Sequence, residues 1–276
     1  MILYRTRQGA LVEQQGARFA VEADSWDELL NDDGLHARLT NVVASARPVE
    51  EVSLERELLP PIESQEIWAA GVTYLRSRTA RMEESEVAGG GSFYDRVYHA
   101  DRPELFFKAT AHRTVGPGQA LHLRGDSNWV VPEPELTLVI TRSGKIVGYT
   151  IGNDLSCRDI EGENPLYLPQ AKTFRGCAAV GPGILVLEGP ILAETEISLS
   201  IVRGGQEIFQ GAATLAQMKK KLPDLVEYLF RDNTFPHGCL LMTGTGIVPE
   251  DDFSLASGDR VEIRIRGIGT LVNPVE

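Results

Sequence analysis

The pattern of apolar and polar positions predicts a chain built mainly of β-strands in its second half. In segments 197–201 and 261–265, apolar side chains occupy every second position, the period of a strand with one buried face. Gly204-Gly205 follows the first of these segments and predicts a hairpin turn into the run 207–210. Because such runs recur with turn residues between them, we expect a strand-rich fold.

The N-terminal part of the chain shows a different pattern, typical of a small separate unit. Two short strand-like runs precede Ser25, a candidate cap for a helical pattern that continues over residues 35–43. The sequence Leu58-Leu59-Pro60-Pro61-Ile62 then predicts a linker, because paired prolines disrupt both helix and sheet. We therefore expect an N-terminal domain over 1–62 and a larger domain over 63–276.

Two further segments have a distinct local character. Apolar residues at helical spacing predict a helix from about Leu215 to Phe230, in which Pro223 either makes a kink or starts a second segment. The sequence Ala88-Gly89-Gly90-Gly91-Ser92 is flexible enough to be the hinge of a lid, and it is equally typical of a plain surface loop.

Composition and charge narrow the class of protein. With 276 residues, 42% hydrophobic and 24% charged, the chain has an ordinary globular composition and room for one large and one small domain. A net charge of −12 argues against nucleic acid or an anionic membrane as the main partner. Cys157, Cys177 and Cys239 are too widely spaced for a disulfide framework or a zinc site, so we expect a cytoplasmic protein. No apolar run approaches the ~20 residues of a membrane span.

The most informative segment is Pro132-Glu133-Pro134-Glu135, which leads into the apolar run 136–140. In a strand the side-chain period is two, so both carboxylates point to one face. Arg142-Ser143-Gly144-Lys145 predicts a tight turn into a second strand. Pairing centred on Ser143-Gly144 places Asp154 opposite Glu133, with Cβ atoms about 5 Å apart.

The three carboxylates of Glu133, Glu135 and Asp154 are therefore expected to converge on one patch. Charges of like sign that lie this close repel one another, so the arrangement requires a cation or a shifted pKa. A ligand set made only of oxygen suits Mg²⁺, Mn²⁺ or Ca²⁺ and does not suit zinc. Two alternatives stay open on the residues alone: a solvated acidic strand face without metal, and a one-residue register slip that moves Asp154 away.

Several motifs together resemble the catalytic domain of the fumarylacetoacetate hydrolase superfamily, over roughly Ile67 to Pro274. The sequences that carry the resemblance are Phe106-Phe107-Lys108, Pro132-Glu133-Pro134-Glu135-Leu136, Gly148-Tyr149-Thr150-Ile151-Gly152-Asn153-Asp154, Ser156-Cys157-Arg158-Asp159-Ile160-Glu161, Pro169-Gln170-Ala171-Lys172, Val180-Gly181-Pro182 and Thr243-Gly244-Thr245-Gly246. The resemblance implies an α+β, mainly β fold, a mixed β-sandwich roll with a small N-terminal α/β domain. It also implies one divalent cation, usually Mg²⁺ with Mn²⁺ or Ca²⁺ as substitutes, and a homodimer or higher homo-oligomer.

Within that superfamily, segments 71–78, 81–85 and 162–172 are similar to the 2-keto-3-deoxy-sugar-acid dehydratase branch. The branch implies conversion of a 2-keto-3-deoxy pentonate to 2,5-dioxopentanoate and water, in pentose and sugar-acid catabolism. A small anionic 2-keto acid chelates the cation, which stabilises the enolate formed when a C3 proton leaves. Loss of the C4 hydroxyl and a double-bond shift then give the aldehyde.

The resemblance also implies roles for individual residues. It places the metal on Glu133, Glu135 and Asp154, the set that the hairpin geometry predicts independently. Lys172 matches the family's active-site lysine. The chemistry of elimination, rather than the resemblance, makes Lys172 the candidate base and Glu83 or Glu84 the candidate for protonating the leaving hydroxyl. The expected substrate contacts are Lys108, Thr245, Arg76, Arg158 and Gln170.

These roles have plainer alternatives. Lys172 and Lys108 could instead be surface cations, because lysine usually lies at the protein surface. Arg158 has the alternative of pairing with its neighbour Asp159 to fasten a loop. The arginines of segment 76–81 have the alternative of forming the solvated face of a helix.

One departure from the family pattern bears on the reaction. Hydrolytic members usually carry Asn-Tyr followed within a few residues by a water-activating histidine, whereas segment 73–78 here contains none. The histidines of the chain are His36, His99, His112, His122 and His237. A Mg²⁺-dependent hydro-lyase is therefore favoured over an acylpyruvate or diketo-acid hydrolase or decarboxylase on the same metal site. A third possibility, a non-catalytic metal-binding or assembly module, is disfavoured by the intact acidic residues with Lys172.

Overall fold

The computed structural model describes residues 1–49, 54–84 and 91–276, and the side chains of residues 55, 83, 84, 91 and 92 lie outside that description. The fold is α+β and mainly β, as predicted. The glycine hinge predicted at 88–92 lies outside the described residues, apart from the backbone of Gly91 and Ser92, which begins a helix. Within the described part of the chain, no helix is long and apolar enough to cross a membrane.

The strands follow one another along the chain and are numbered here in order. They are β1 (Ile2–Thr6), β2 (Gly9–Gln14), β3 (Ala17–Val21), β4 (Glu66–Gly71), β5 (Glu104–Thr110), β6 (Thr114–Val115), β7 (Val130–Val131), β8 (Pro134–Ile140), β9 (Ile146–Asp154), β10 (Ser156–Cys157), β11 (Ala178–Leu185), β12 (Glu196–Arg203), β13 (Gln206–Thr214), β14 (Cys239–Met242), β15 (Arg260–Ile265) and β16 (Gly269–Pro274).

The helices are short and lie between these strands. They are α1 (Trp26–Leu30), α2 (Leu35–Ser45), α3 (Leu54–Glu57), α4 (Leu75–Glu84), α5 (Gly91–His99), α6 (Arg158–Glu163), α7 (Leu168–Lys172) and α8 (Leu222–Phe230). Single 3₁₀ turns occur at Ala111–Arg113, Pro165–Tyr167 and Leu215–Gln217.

Most strands belong to one ten-stranded sheet, with the order β3-β2-β1-β11-β9-β8-β14-β4-β5 and β6 beside β11. Within it, β8 and β9 form the predicted hairpin, and Glu135 pairs with Gly152 in the register centred on Ser143-Gly144. Gly144 has a φ of +84°, a left-handed conformation that glycine adopts without strain. The register predicted from the sequence is therefore confirmed.

A second, four-stranded sheet packs against the large one. Its order is β13-β12-β15-β16, and it contains the predicted strands at 197–201 and 261–265. Leu136 and Leu138 of β8 share one hydrophobic cluster with Leu199 of β12 and Ile263 of β15. This is the sandwich arrangement that the resemblance implies, because side chains from the two inner faces form a common core.

The acidic residues lie on the opposite side of β8 from the sandwich core. Successive side chains of a strand alternate between its faces, so Glu135 shares a side with Val139 rather than with Leu138. Val139 belongs to a second hydrophobic cluster, beneath the N-terminal helices. Both faces of β8 are buried, and the acidic residues are therefore removed from bulk water.

The N-terminal unit is continuous with the large sheet, because β1 pairs with β11. Ser25 accepts a hydrogen bond from the backbone N–H of Glu28, which confirms the predicted helix cap. The second hydrophobic cluster crosses from this unit into the larger one, and its members are Leu3, Val12, Phe19, Val21, Trp26, Leu29, Leu30, Leu35, Leu39, Val139, Val147, Ile184 and Val186. The domain boundary at residue 62 stays a prediction.

Two details differ from the expectations. Three strands rather than two precede Ser25, because the runs at 9–14 and 17–21 form separate strands of one hairpin. The helix predicted from Leu215 is a single 3₁₀ turn there, and α8 begins only at Leu222. Pro223 starts this second segment, one of the two roles predicted for it, and lies in the first turn of α8, where its missing N–H breaks no helical hydrogen bond.

Candidate functional site

Five neighbouring strands of the large sheet begin or end along one side of it, here called the acidic edge. The predicted site residues lie there. The alternating directions of β9, β8, β14, β4 and β5 bring the C-terminal ends of β9, β14 and β4 beside the N-terminal ends of β8 and β5. Asp154 ends β9, Glu135 lies at the start of β8, and Thr243 to Thr245 follow β14. The site is therefore assembled by sheet topology rather than by one loop.

Glu133, Glu135 and Asp154, here called the acidic triad, converge as predicted. One ligand oxygen from each lies within 4.8 Å of the other two, and all three residues are buried. The backbone N–H of Asp154 donates to the Glu133 carbonyl at 3.0 Å, which extends the hairpin pairing to these two residues. Glu133 lies between two prolines that lack an N–H, and its own N–H donates to Asn153 Oδ1 at 3.1 Å.

Two buried lysines neutralise part of this charge. Lys172 Nζ donates to Glu133 Oε2 at 2.7 Å, to Asp154 Oδ2 at 3.0 Å and to Ser156 Oγ at 2.6 Å. Lys108 Nζ lies 2.6 Å from Asp154 Oδ1 and donates to the carbonyls of Leu155 and Lys172. Both lysines are fully buried, so they are not surface cations.

Two arginines, on helices α4 and α6, reach the carboxylate of Glu133. Arg158 Nη2 donates to Glu133 Oε1 at 2.7 Å, and Arg81 Nη2 lies 3.6 Å from the same oxygen. Arg81 also forms an ion pair with the buried Glu161. Burial and the positive charge of Arg81 hold the pKa of Arg158 well below its usual range. The suggested pairing of Arg158 with Asp159 is wrong.

Asp159 instead stabilises the start of its own helix. Its carboxylate accepts hydrogen bonds from Ser127 Oγ at 2.6 Å, from the Asn128 N–H at 2.7 Å and from the Ile160 N–H at 2.9 Å. A carboxylate in the first turn of a helix is favoured by the helix dipole, which explains why this residue turns away from Arg158.

Glu135 differs from its two neighbours because its carboxylate has no lysine or arginine ion pair among the described residues. It accepts the backbone N–H of Gly244 at 2.5 Å. Burial and the charges of Asp154 and Glu133 raise the pKa of Glu135 well above its ordinary value. Burial acts in the same direction on Asp154, but Lys108 and Lys172 outweigh it and hold the pKa of Asp154 below its ordinary value.

A fourth carboxyl group, Glu104, lies beside the triad and was missed in the sequence. Glu104 begins β5 and pairs with Gly71 at the end of β4. A Cβ on Gly71 would overlap the Glu104 carboxylate, so the carboxylate occupies the space that glycine leaves free. Burial raises the pKa of Glu104, while the charges of Arg81 and Lys172 oppose the rise. No local motif marks this residue, because its place depends on the pairing of β4 with β5.

A small cavity opens at the triad, and the remaining predicted residues divide into those inside and outside it. Its lining residues are Ala70, Gly71, Val72, Ser77, Arg81, Phe106, Glu133, Glu135, Asp154, Lys172, Gly244 and Thr245. Thr245 therefore lines the cavity, as predicted. Lys108 does not line it, but its ammonium contacts Asp154, which does. The side chains of Glu83 and Glu84, at the end of α4, lie outside the described residues, so their role stays a prediction.

Arg76 and Gln170 do not line this cavity. Arg76 is exposed on α4 and forms a 4.0 Å ion pair with Glu250. Gln170 is exposed on α7, and its backbone carbonyl accepts from Arg124 at 2.9 Å. In α4 the arginine that faces the triad is Arg81, five residues after Arg76, because that spacing turns the two side chains to different sides of a helix.

No histidine lines the cavity, and all of the chain's histidines are in the described residues. The hydrolase histidine segment corresponds to the start of α4, where Ser77 lies in the cavity wall. Ser77 Oγ accepts from the Tyr74 N–H at 3.3 Å and donates to the Tyr74 carbonyl at 2.9 Å. Its hydroxyl is thus engaged in a helix-start turn and supplies no base.

The donor set fits a hard divalent cation. Three buried carboxylates offer oxygens at close range, and Glu135 is left without a positive partner in the described structure. Oxygen-only ligation with carboxylates is the preference of Mg²⁺, Mn²⁺ and Ca²⁺. The acidic triad would hold such an ion, with Lys172, Lys108 and Arg158 as the surrounding cations.

Comparison with known proteins agrees with this geometry. A protein of Haloferax volcanii named "Probable 2-keto-3-deoxyxylonate dehydratase" is 49% identical over 246 residues, covering 88% of this chain and 82% of that protein. The 2-dehydro-3-deoxy-D-arabinonate dehydratase of Saccharolobus solfataricus is 47% identical over 221 residues, covering 78% and 73%.

Solved structures give the same result. The structure of "2-keto-3-deoxy-D-arabinonate dehydratase complexed with magnesium and 2,5-dioxopentanoate" matches with a TM-score of 0.85 and 37% identity, over 100% of this chain and 99% of that one. The family described as "Fumarylacetoacetate (FAA) hydrolase C-terminal" matches residues 67–276. Since that match runs from β4 to the last residue and includes every strand that builds the acidic edge, the chain belongs to the fumarylacetoacetate hydrolase family.

Proposed function

We propose that the chain is a Mg²⁺-dependent hydro-lyase that converts a 2-keto-3-deoxy pentonate to 2,5-dioxopentanoate and water. The observation that carries the proposal is a cavity lined by a buried acidic triad and Lys172 and by no histidine, with a further carboxyl, Glu104, beside the triad. Elimination of water needs a base, a stabilised negative oxygen and a departing hydroxyl, but no activated attacking water. The names of the relatives from Haloferax volcanii and Saccharolobus solfataricus support the same reaction class.

The acidic triad would hold the cation, with Glu135 as the ligand that forms no lysine or arginine ion pair among the described residues. When bound, Mg²⁺ supplies positive charge for the keto and carboxylate oxygens of a 2-keto acid. Lys172, Lys108 and Arg158 hold the carboxylates of Glu133 and Asp154 in place. The chain's own part in this step is to present three oriented oxygens in a site that excludes bulk water.

Glu104 is the better candidate for the base that removes the C3 proton. Glu104 does not line the cavity itself, but its carboxylate occupies the space beside Gly71, which does. It is a carboxyl outside the triad, and its raised pKa brings it closer to the range in which carboxylates act as bases. Lys172 is a poorer candidate for this role, because its ammonium already donates to three oxygens and an ammonium has only three protons. Its geometry suits a cation that holds Glu133 and Asp154 in place.

The cavity reduces the set of residues that can contact the substrate, and the end of α4 carries the candidates for the general acid. Arg81 and Thr245 line the cavity, so we assign them to the substrate, whereas Arg76 and Gln170 lie outside it. Glu83 or Glu84 would protonate the leaving C4 hydroxyl from the end of α4. The C4 hydroxyl and the proton from Glu83 or Glu84 together make the water released, while the C3 proton passes to Glu104.

One experiment separates this reaction from its competitor. Purified protein with Mg²⁺ is incubated with a panel of 2-keto-3-deoxy pentonates, 2-keto-3-deoxy hexonates and acylpyruvates, and the products are identified by mass. We expect loss of water from a pentonate and little cleavage of acylpyruvates, with Glu135→Gln as the metal-site control. Faster carbon–carbon cleavage of an acylpyruvate than dehydration of any pentonate would show that the chain is a hydrolase.

The proposal extends to assembly and location. A homodimer or higher homo-oligomer is supported by large apolar side chains at the surface, of which Leu166 is 83% exposed. A cytoplasmic location is supported by three buried free cysteines. Light scattering coupled to size-exclusion chromatography measures the mass of the assembly, and a monomer at all concentrations would contradict the first point.

A further inference from the structure

One peptide group connects a buried threonine to the metal ligand that has no cationic partner. The peptide between Thr243 and Gly244 has its N–H on Glu135 Oε2 at 2.5 Å. The carbonyl of the same peptide, on Thr243, accepts from Thr73 Oγ1 at 2.6 Å. Because the C=O and N–H of a trans peptide point in opposite directions, Thr73 and Glu135 lie on opposite sides of one planar group.

The direction of both hydrogen bonds is fixed by chemistry. A carbonyl oxygen can only accept, so the Thr73 hydroxyl must donate its proton to Thr243. The hydrogen bond from Thr73 therefore polarises the carbonyl of the peptide, and the N–H at the other side of the same peptide donates to the carboxylate of Glu135. Hydrogen bonds in such a chain polarise and strengthen one another inside a protein.

Packing leaves this peptide little freedom to rotate. Gly244 has a φ of +90°, and a Cβ there would overlap Thr73 Oγ1 and lie 2.9 Å from the Ala70 carbonyl oxygen. Thr73 is fully buried, and its own carbonyl accepts from the Lys219 N–H at 2.9 Å. The preceding residue, Val72, has a φ of +54°, a left-handed conformation that is strained for a β-branched side chain.

We propose that Thr73 is a positioning residue of the metal centre, which orients the Thr243–Gly244 peptide so that its N–H holds Glu135 beside Glu133 and Asp154. The inference rests on the proposed metal site. Glu133 and Asp154 are held by lysine and arginine side chains, whereas the only hydrogen bond that the described structure gives the Glu135 carboxylate comes from this peptide. The alignment of the third ligand thus depends on one hydroxyl two strands away.

The test measures metal affinity directly, by calorimetric titration of Mg²⁺ into metal-stripped protein. Thr73→Val keeps the shape of the side chain and removes the donor, and we expect it to weaken Mg²⁺ binding by roughly 10–100-fold, the usual effect of losing a partner of a metal ligand. Thr73→Ser keeps the donor and should bind Mg²⁺ within about threefold of the wild type, because only a methyl group is lost. Thr73→Ala is the second variant that removes the donor if the valine variant does not fold.

Thr137→Val is the matched control. Thr137 is also a fully buried threonine, two residues after Glu135 on β8, and its hydroxyl has no hydrogen-bond partner in the described structure. Its loss should leave the Mg²⁺ dissociation constant unchanged. If Thr73→Val lowers the melting temperature yet binds Mg²⁺ as tightly as Thr137→Val, Thr73 is merely structural and the proposal is overturned.

A further variant separates failure of this inference from failure of the metal site. Glu135→Gln should weaken Mg²⁺ binding strongly, and adding Thr73→Val to it should cause no further weakening. Wild-type binding that Glu135→Gln does not alter would overturn both the metal site and the role of Thr73. Weakening by Glu135→Gln alone, with Thr73→Val unaffected, would overturn only the role of Thr73.

Discussion

At the scale of single residues, the charge on Lys172 holds two carboxylates of the triad together. Lys172→Met should lower turnover by at least ~100-fold and also destabilise the metal-free protein by roughly 3 kcal/mol, because Glu133 and Asp154 would be buried with less compensating charge. Steady-state kinetics and thermal unfolding measure the two effects. Lys145→Met, at an exposed lysine, is the control. A change in activity of less than about threefold would show that Lys172 has no part in the reaction.

A second prediction concerns Glu104, whose carboxyl lies beside the triad but binds no metal in our assignment. Glu104→Gln should lower turnover by roughly 10²–10⁴-fold and leave Mg²⁺ affinity within about threefold, because it removes a base and no ligand. In the wild type, kcat/KM should rise with pH through a pKa above the ordinary 4.5, since the base must be ionised. Loss of Mg²⁺ affinity in the variant would instead identify Glu104 as a ligand.

At the scale of elements, the end of β4 matters because it provides room for a side chain on β5. Gly71→Ala should lower activity by at least ~10-fold with a small loss of stability, since its Cβ displaces the mobile end of Glu104 and no backbone. Gly125→Ala, at an exposed glycine with no atom near the added Cβ, is the matched control. Equal kinetics for the two alanine variants would mean that Glu104 is not held at the place where the reaction occurs.

The same scale shows which parts of the site the sequence could predict. The hairpin of β8 and β9 was predictable because its register depends on a short turn and a period of two, both local properties. Glu133, Glu135 and Asp154 followed from that register. The start of α8 was not predictable in the same way. The spacing of Met218 and Leu222 is typical of a helix, but Pro223 determines where the helix begins.

The rest of the site depends on contacts between residues far apart in the chain. Glu104 meets Gly71 only because β4 pairs with β5, and Gly244 reaches Glu135 only because β14 lies beside β8. The choice between Arg76 and Arg81 required the rotation of α4 against the sheet. Neither propensity nor spacing contains this information, because the free energy of these contacts comes from tertiary packing.

At the scale of the whole molecule, pH and metal should act on stability together. The pKa of Glu135 is raised in the metal-free fold. The contribution of Glu135 to the free energy of unfolding is therefore fully present below about pH 4.5 and is lost as pH rises through the raised pKa. Mg²⁺ binds the ionised carboxylate and should therefore raise the melting temperature more at about pH 8 than at about pH 5.5. Thermal unfolding with Mg²⁺ or with a chelator measures this. Glu135→Gln should lose most of the difference, and equal stabilisation at both pH values would contradict the assignment.

The lysine between Glu133 and Asp154 leads us to expect that folding does not depend on the cation. A small zinc domain has no substitute for its ion and stays unfolded until the ion arrives. Here the ammonium group already separates two of the acidic side chains, so the polypeptide can complete its fold on leaving the ribosome and acquire its cation afterwards. We therefore expect the ion to be exchangeable throughout the life of the protein, with occupancy following the free divalent cations of its surroundings.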